Sequence, residues 1–372
     1  MTDNEAAENI IRQFAIYGEY ESVNPFGGGH INSTYVSVWN QAGAKLRYIH
    51  QRINQRVFSR PGEVMENIER VTRHIRENAR KRNLDDISRR TLTLVPAGDG
   101  KSWLRDAEGN WWRTYFFIEG SHALDLVSSS KEAFFLGGSI AGFQLQLADF
   151  EGNRLHETIP GFHNMKTRYR RFHEAVANDS FRRVEKAEAE ISFMIDNEAR
   201  GSALIDAIER GALPERICHN DAKINNILID DKNSEALCVI DLDTVMPGTA
   251  LFDLGDLIRT VTNRAQEDEQ DLSKVDFNVE YLNALLSGYV SVARDFLVPA
   301  EVSLFCESGR NLTQIMGLRF LTDYLEGDHY YRISRPGHNL DRCRNQIALI
   351  KSMDKKWESA RQIVNSLCGG IA

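Results

Sequence analysis

The 372-residue chain contains no uninterrupted apolar run of 18 residues, so no membrane-spanning helix is expected. Its first residues, Met-Thr-Asp-Asn-Glu, are acidic and lack the basic and apolar regions of a signal peptide, which points to a cytoplasmic protein. Basic residues are not in excess. With 45 Lys and Arg against 53 Asp and Glu, the formal charge is −8, which argues against a nucleic-acid partner and for small-molecule ones. Cysteine is scarce: Cys218, Cys238, Cys306, Cys343 and Cys368 are odd in number, widely spaced and include no Cys-x-x-Cys pair, so reduced thiols are expected rather than zinc or redox sites. Repeats and low-complexity tracts are also missing, and the charged segment 264–274 reads as a solvated loop or helix face. A composition of 42% hydrophobic and 26% charged residues suffices for two or three lobes with their own cores, and leaves the oligomeric state open.

Periodicity predicts an α+β chain. A short amphipathic helix over 5–19 is followed by the Gly-rich stretch Asn24-Pro25-Phe26-Gly27-Gly28-Gly29-His30 and an alternating strand over 35–39. Further strand patterns at 47–53, 91–95, 102–105 and 111–118, separated by Gly- and Asp-rich turns, imply an N-terminal antiparallel sheet, with a helix over 64–80. From about residue 131 apolar positions recur at helical spacing, in 131–150, 184–211, 276–297, 300–326 and 339–367. That larger, mainly helical part is interrupted by strand-like sequence over 215–243. The division is expected as 1–119 and 120–372.

The interruption carries the chemistry. Residues 218–226 read Cys-His-Asn-Asp-Ala-Lys-Ile-Asn-Asn, and Val239-Ile240-Asp241-Leu242-Asp243 follows an apolar run. His219, Asp221 and Asn226 fit a His-x-Asp pattern with Asn five residues on, the arrangement of a phosphoryl-transfer loop. Moving a γ-phosphoryl group requires one group to orient the acceptor hydroxyl and others to hold Mg²⁺ against ATP. Asp221 suits the first role, Asn226 and Asp241 the second, and Lys223 can neutralise charge on the transferring group. Three roles are open to Asp243: metal, substrate, or the loop backbone. Asp253, in Phe252-Asp253-Leu254-Gly255-Asp256, suits hydrogen bonds from the catalytic-loop backbone or the N-terminal turn of a helix.

Three familiar parts of such a site are missing. There is no full Gly-x-Gly-x-x-Gly, but Gly27 to Gly29 with His30, Ile31 and Asn32 can form a phosphate-covering flap. The strand 47–53 holds no lysine; Arg52, or failing it Gln51, is the polar group available to phosphate, with Glu69 as its partner on the next helix. No segment resembles Asp-Phe-Gly to Ala-Pro-Glu, which argues against a protein substrate. Ile118-Glu119-Gly120 is the candidate hinge whose backbone meets adenine.

These blocks resemble the aminoglycoside phosphotransferase-like kinases, and within them the bacterial N-acetylhexosamine 1-kinases. The similarity runs through 25–35, 47–54 and 218–256, and extends to Gly317-Leu318-Arg319-Phe320-Leu321-Thr322-Asp323-Tyr324-Leu325-Glu326-Gly327-Asp328-His329-Tyr330 and His338-Asn339-Leu340. The resemblance implies a two-lobed, protein-kinase-like fold and ATP- and Mg²⁺-dependent phosphorylation of the anomeric hydroxyl of N-acetylglucosamine or N-acetylgalactosamine. It also implies that Asp221 orients that hydroxyl, that Asn226 and Asp241 hold Mg²⁺, that the His30 loop covers phosphate or touches sugar, and that Arg319 and Tyr330 recognise the hexosamine. Another small-molecule acceptor, such as an amino alcohol, a different sugar or an aminoglycoside, is the alternative, followed by an inactive nucleotide-binding regulator.

Overall fold

The computed structural model of the chain describes residues 3–27 and 31–371, so the flap positions Gly28, Gly29 and His30 lie outside the described residues. Five strands form an antiparallel sheet: β1 (Glu19–Pro25), β2 (Ser33–Gln41), β3 (Ala44–Arg52), β4 (Leu104–Arg105) and β5 (Trp111–Phe116), in the order β1-β2-β3-β5-β4. Side chains alternate across each strand, so the sheet can bury both faces. One face packs Tyr35, Trp39, Tyr48 and Trp112 against Ile10 and Ile11 of helix Asp3–Ile11. The other packs Ile53 and Tyr115 against Ile68, Val71 and Ile75 of helix Pro61–Lys81.

The buried polar groups on the first face are satisfied. His50 lies between Ser37 Oγ (2.6 Å) and Thr114 Oγ1 (2.8 Å), and burial pushes its imidazole down to about 3, so it is neutral. Residues one step along from His50 and Thr114 must face the other way. Gln51 and Arg113, opposite each other in the β3–β5 register, thereby face inward toward the C-terminal lobe.

In the N-terminal part, two elements differ from expectation. The first helix stops at Ile11 instead of running to 19, because Phe14 bridges Ala97 and the Ala15 amide donates to the Pro96 carbonyl (2.8 Å). Sheet pairing with the 95–97 segment outweighs local periodicity there. Residues 91–95 do not form a regular strand, although Phe116 N donates to Thr93 O and Val95 N to Thr114 O.

Long helices make up most of the C-terminal lobe. Phe305–Leu325 runs through its centre, with Leu312, Ile315, Leu318 and Leu321 fully buried. The stretch expected as helical over 184–211 is broken into Glu188–Asp196, Glu198–Gly201 and Ala203–Glu209. At the breaks the central helix takes the freed carbonyls: Gln314 Nε2 donates to Asn197 O (2.8 Å) and Asn311 Nδ2 to Gly201 O. Helix Met165–Asn178, capped by Asn164 Oδ1 on the Thr167 amide, was not expected, although Met165, Tyr169, Phe172 and Ala175 repeat at helical spacing.

Helices Ser130–Gln146 and Val279–Ala293 cross where only glycine fits: a Cβ on Gly137 would collide with the Leu285 carbonyl, and one on Gly288 with the Phe134 carbonyl. Their contact brings Tyr289 OH to Gln144 Oε1 (2.7 Å), which matters for the site. All five cysteines are free, and among the described residues no helix is long and apolar enough to cross a membrane.

Candidate active site

Strand Arg216–Cys218 pairs antiparallel with Met246–Gly248, which lays loop 219–226 beside segment 240–245. Side chains then lock the two together. His219 Nε2 donates to Ile240 O (2.8 Å) and its Nδ1 accepts from the Asp221 amide (3.2 Å), while Thr244 Oγ1 donates to His219 O (2.7 Å). Asn220, at φ +64°, adopts the left-handed conformation that Asn tolerates better than most residues, and its Nδ2 donates to the carbonyls of Cys218, Thr244 and Met246. Position 248 must be glycine for this to fit, since a Cβ there would stand 2.8 Å from Asn220 Oδ1.

Beneath the loop lies Asp253, fully buried in the first turn of helix Ala250–Thr262. Its carboxylate accepts from the amides of His219 (3.0 Å) and Asn220 (2.7 Å) and from Gln144 Nε2 (3.0 Å). Burial raises its pKa, and these donors oppose the rise. A chain of hydrogen bonds therefore runs from Tyr289 through Gln144 and Asp253 to the loop backbone. Both placements expected of Asp253 are met at once: it stands in the first turn of its helix and accepts from the loop backbone.

Above the loop, Asp221 faces a cleft open to solvent, which Lys223, Asp241 and Asp243 also line. Burial alone would favour its neutral form, but the charge of Lys223 Nζ, 3.1 Å away, outweighs it and holds the carboxyl down at about 2. Lys223 is in turn kept charged by Asp221 and Asp241. Asn226 Nδ2 donates to Asp221 O (2.8 Å) and Oδ2 (3.2 Å), which turns its own Oδ1 away from that carboxylate.

Asp241 sits at φ +62° at the turn after strand Ala236–Val239. Burial and the neighbouring Asp243 push its carboxyl up to about 6. A divalent cation would relieve that cost, and Mg²⁺ needs only one or two protein carboxylates beside phosphate oxygens and waters. Asp241 and the amide oxygen of Asn226 fit that donor set.

Asp243 is otherwise engaged. It is 2% exposed, ion-pairs with fully buried Arg113 and accepts from Asn32 Nδ2 (2.7 Å). Arg113 also donates to Gln51 Oε1 through Nε (3.0 Å) and Nη2 (2.7 Å). Asn32 Oδ1 accepts from the Asn54 amide (2.9 Å) and Asn54 Nδ2 donates to Ile31 O (3.1 Å), so the described end of the flap is tied to Asp243.

The expected Arg52–Glu69 pair does not form. Arg52 reaches Ser33 Oγ (3.3 Å) and the Trp112 ring, and Glu69 accepts from Ser102 Oγ. Strand alternation is the cause: Gln51, not Arg52, shares the inward face, and the buried cation comes from β5 as Arg113. Sequence reading missed Arg113; its signal was a guanidinium in the middle of the apolar strand Trp111–Phe116. At the expected hinge, Glu119 ion-pairs with Arg47 (Nε to Oε1, 2.9 Å) and its carbonyl accepts from Arg89 Nε (3.1 Å).

Arg319 and Tyr330 line the same cleft as Ile31 and Asn32, with Arg319 Nη2 3.4 Å from the phenol oxygen. Arg319 lies against the rings of Phe162, Tyr330 and Tyr331. The charged segment 264–274 is not simply solvated: Glu267 lines the cleft, paired to Arg259 Nη1 (2.8 Å), and Asp268 binds His338 Nε2 (2.9 Å) and Arg335.

Residues 22–294 match the model of the "Phosphotransferase enzyme family". Among solved structures, the chain is similar to an aminoglycoside phosphotransferase from Alicyclobacillus acidocaldarius, at 13% identity and TM-score 0.60 over 96% of each chain. It is also similar to a choline kinase from Cryptosporidium parvum, at 13% identity and TM-score 0.61 over 99% of this chain and 100% of that one. A third likeness is to a spectinomycin phosphotransferase solved with ADP and spectinomycin, at 13% identity and TM-score 0.52 over 99% and 98%. These likenesses are in fold, an α+β kinase-like architecture with an antiparallel N-terminal sheet and a larger helical lobe. With the family model spanning most of its length, the chain belongs to the phosphotransferase enzyme family and is a kinase of that family.

Proposed function

We propose that the protein uses ATP and Mg²⁺ to phosphorylate the anomeric hydroxyl of an N-acetylhexosamine, giving the sugar 1-phosphate, with the lobes divided between residues 119 and 120. One observation carries the acceptor class. Among the described residues, three of the four carboxylates that line the cleft have a cationic partner: Asp221 has Lys223, Asp243 has Arg113 and Glu267 has Arg259, while the fourth, Asp241, is the one assigned to the metal. What remains to meet an acceptor is Arg319, Arg342, Tyr330, Tyr331 and the rings of Phe162 and Phe320. Guanidinium and phenol groups hydrogen-bond neutral hydroxyl and amide oxygens, and aromatic faces pack on a sugar ring. A quaternary ammonium or a polycationic acceptor would lack a free negative charge there. The block 317–330, which resembles the hexosamine kinases, supplies Arg319, Phe320 and Tyr330 to this wall.

Asp221 would accept a hydrogen bond from the attacking hydroxyl, Lys223 would offset charge on the transferring phosphoryl, and Asn226 with Asp241 would hold Mg²⁺, which supplies neutralising charge for the phosphates of ATP. Ile31 and Asn32 close the flap, and Gly28, Gly29 and His30 would cover phosphate. ADP release with N-acetylglucosamine, N-acetylgalactosamine, glucose, galactose, choline, homoserine and kanamycin tests the reading. It predicts the two N-acetylhexosamines as the best acceptors; a preference for choline or kanamycin would replace it with the amino-alcohol or aminoglycoside reading.

A further inference from the structure

Beside the acceptor wall, and sharing Arg319, Tyr330 and Tyr331 with the cleft, is a second, solvent-open pocket lined also by Arg168, Arg171, Asp323 and Glu326. Its charges do not balance. Arg171 is paired with Glu326 (Nε to Oε1, 2.9 Å), and Asp323 is occupied by the amides of His329, Tyr330 and Tyr331 and by Asn339 Nδ2. Arg168 directs Nε and Nη2 to one backbone oxygen, Phe162 O (3.1 and 2.7 Å). Arg319 reaches only Met316 Sδ and Tyr330 OH, both at 3.4 Å.

Neither Arg168 nor Arg319 has a carboxylate partner among the described residues, and both lie against the Phe162 ring. Burial and the Arg319 charge draw the Arg168 guanidinium down to about 10. The Tyr331 hydroxyl, buried in the same wall, has no hydrogen-bond partner. Two like charges held together with an unsatisfied O–H are costly unless an acceptor joins them, and a group bearing negative oxygens satisfies all three at once.

We propose that Arg168, Arg319 and Tyr331 form an oxyanion subsite beside the acceptor site, taking a sulfate, phosphate or carboxylate group. The group is either a substituent on the acceptor sugar, which rests on the function proposed above, or a free anion. Calorimetric titration of sodium sulfate into enzyme saturated with Mg²⁺ and a non-hydrolysable ATP analogue reads the subsite without any sugar, because the nucleotide fills the phosphate site. One saturable sulfate per chain is expected, weakened about tenfold by Arg168→Gln and severalfold by Tyr331→Phe. Tyr331→Phe removes a hydroxyl that bonds nothing in the protein, so a folding failure there is not expected. Absence of saturable sulfate binding, or equal binding in both variants, would overturn the proposal.

The source is read from the ratio of kcat/KM for N-acetylglucosamine 6-sulfate to that for N-acetylglucosamine. With sulfate binding established, a ratio of about ten that collapses toward one in Arg168→Gln supports a substituent on the acceptor. A ratio near one in both proteins supports a free anion. If neither sugar turns over, the function proposed above fails while the calorimetric result still decides the subsite.

Discussion

Arg113 of β5 and Asp243 of the metal segment form an ion pair with side chains 0% and 2% exposed, joining the N-terminal sheet to the catalytic lobe. Asn32 and Gln51 complete it from the flap end and β3. Removing one partner strands a buried charge, so Arg113→Met is expected to cost about 3 to 5 kcal/mol in chemical denaturation. Arg113→Met with Asp243→Leu should lose less than the sum of the two single changes. Strict additivity would show that the pair is not coupled.

Asp221→Asn keeps the shape of the loop but removes the acceptor for the substrate proton. Turnover should fall on the order of a hundredfold or more while nucleotide affinity stays near the native value. Near-native turnover would contradict the base role.

Asp241→Ala deletes the carboxylate best placed for the cation. Mg²⁺-dependent nucleotide binding, followed by titration of the metal, should weaken markedly. An unchanged titration would pass the role to Asp243, whose present partners Arg113 and Asn32 would then have to release it.

Asp253→Leu leaves the His219 and Asn220 amides buried without an acceptor, at a cost of about 1 to 3 kcal/mol each. Both the denaturation midpoint and kcat should drop. A stability loss with native kcat would mean that the loop holds its shape without this carboxylate.

Arg319→Ala should raise KM for the sugar far more than KM for ATP, since the guanidinium stands on the acceptor wall. An unaltered sugar KM would remove Arg319 from recognition.

The parts of the site that follow from local spacing were readable in the sequence. Asp221, Lys223, Asn226 and Asp241 occupy one short loop and the strand end beside it, and the structure puts Asp221, Lys223 and Asp241 on one cleft with Asn226 hydrogen-bonded to Asp221. Parts set by the facing of strands were not readable. Whether Gln51 or Arg52 points inward depends on the β3 register against β5, and the partner of Asp243 comes from a strand more than a hundred residues upstream. The same limit applies to the first helix, whose periodicity continues past Ile11 while pairing with Pro96 and Ala97 ends it. Segment 264–274 looked solvated because Glu267 and Asp268 find Arg259, Arg335 and His338 only in the folded chain.

The central claim is that the acceptor oxygen is the anomeric one. The enzyme should be incubated with Mg²⁺-ATP and either N-acetylglucosamine or its methyl glycoside, in which that oxygen is blocked, and the products analysed by phosphorus NMR and mass spectrometry. The account predicts N-acetylglucosamine 1-phosphate from the free sugar and no product from the glycoside. A phosphorylated methyl glycoside, or phosphate on any other oxygen of the free sugar, would contradict it.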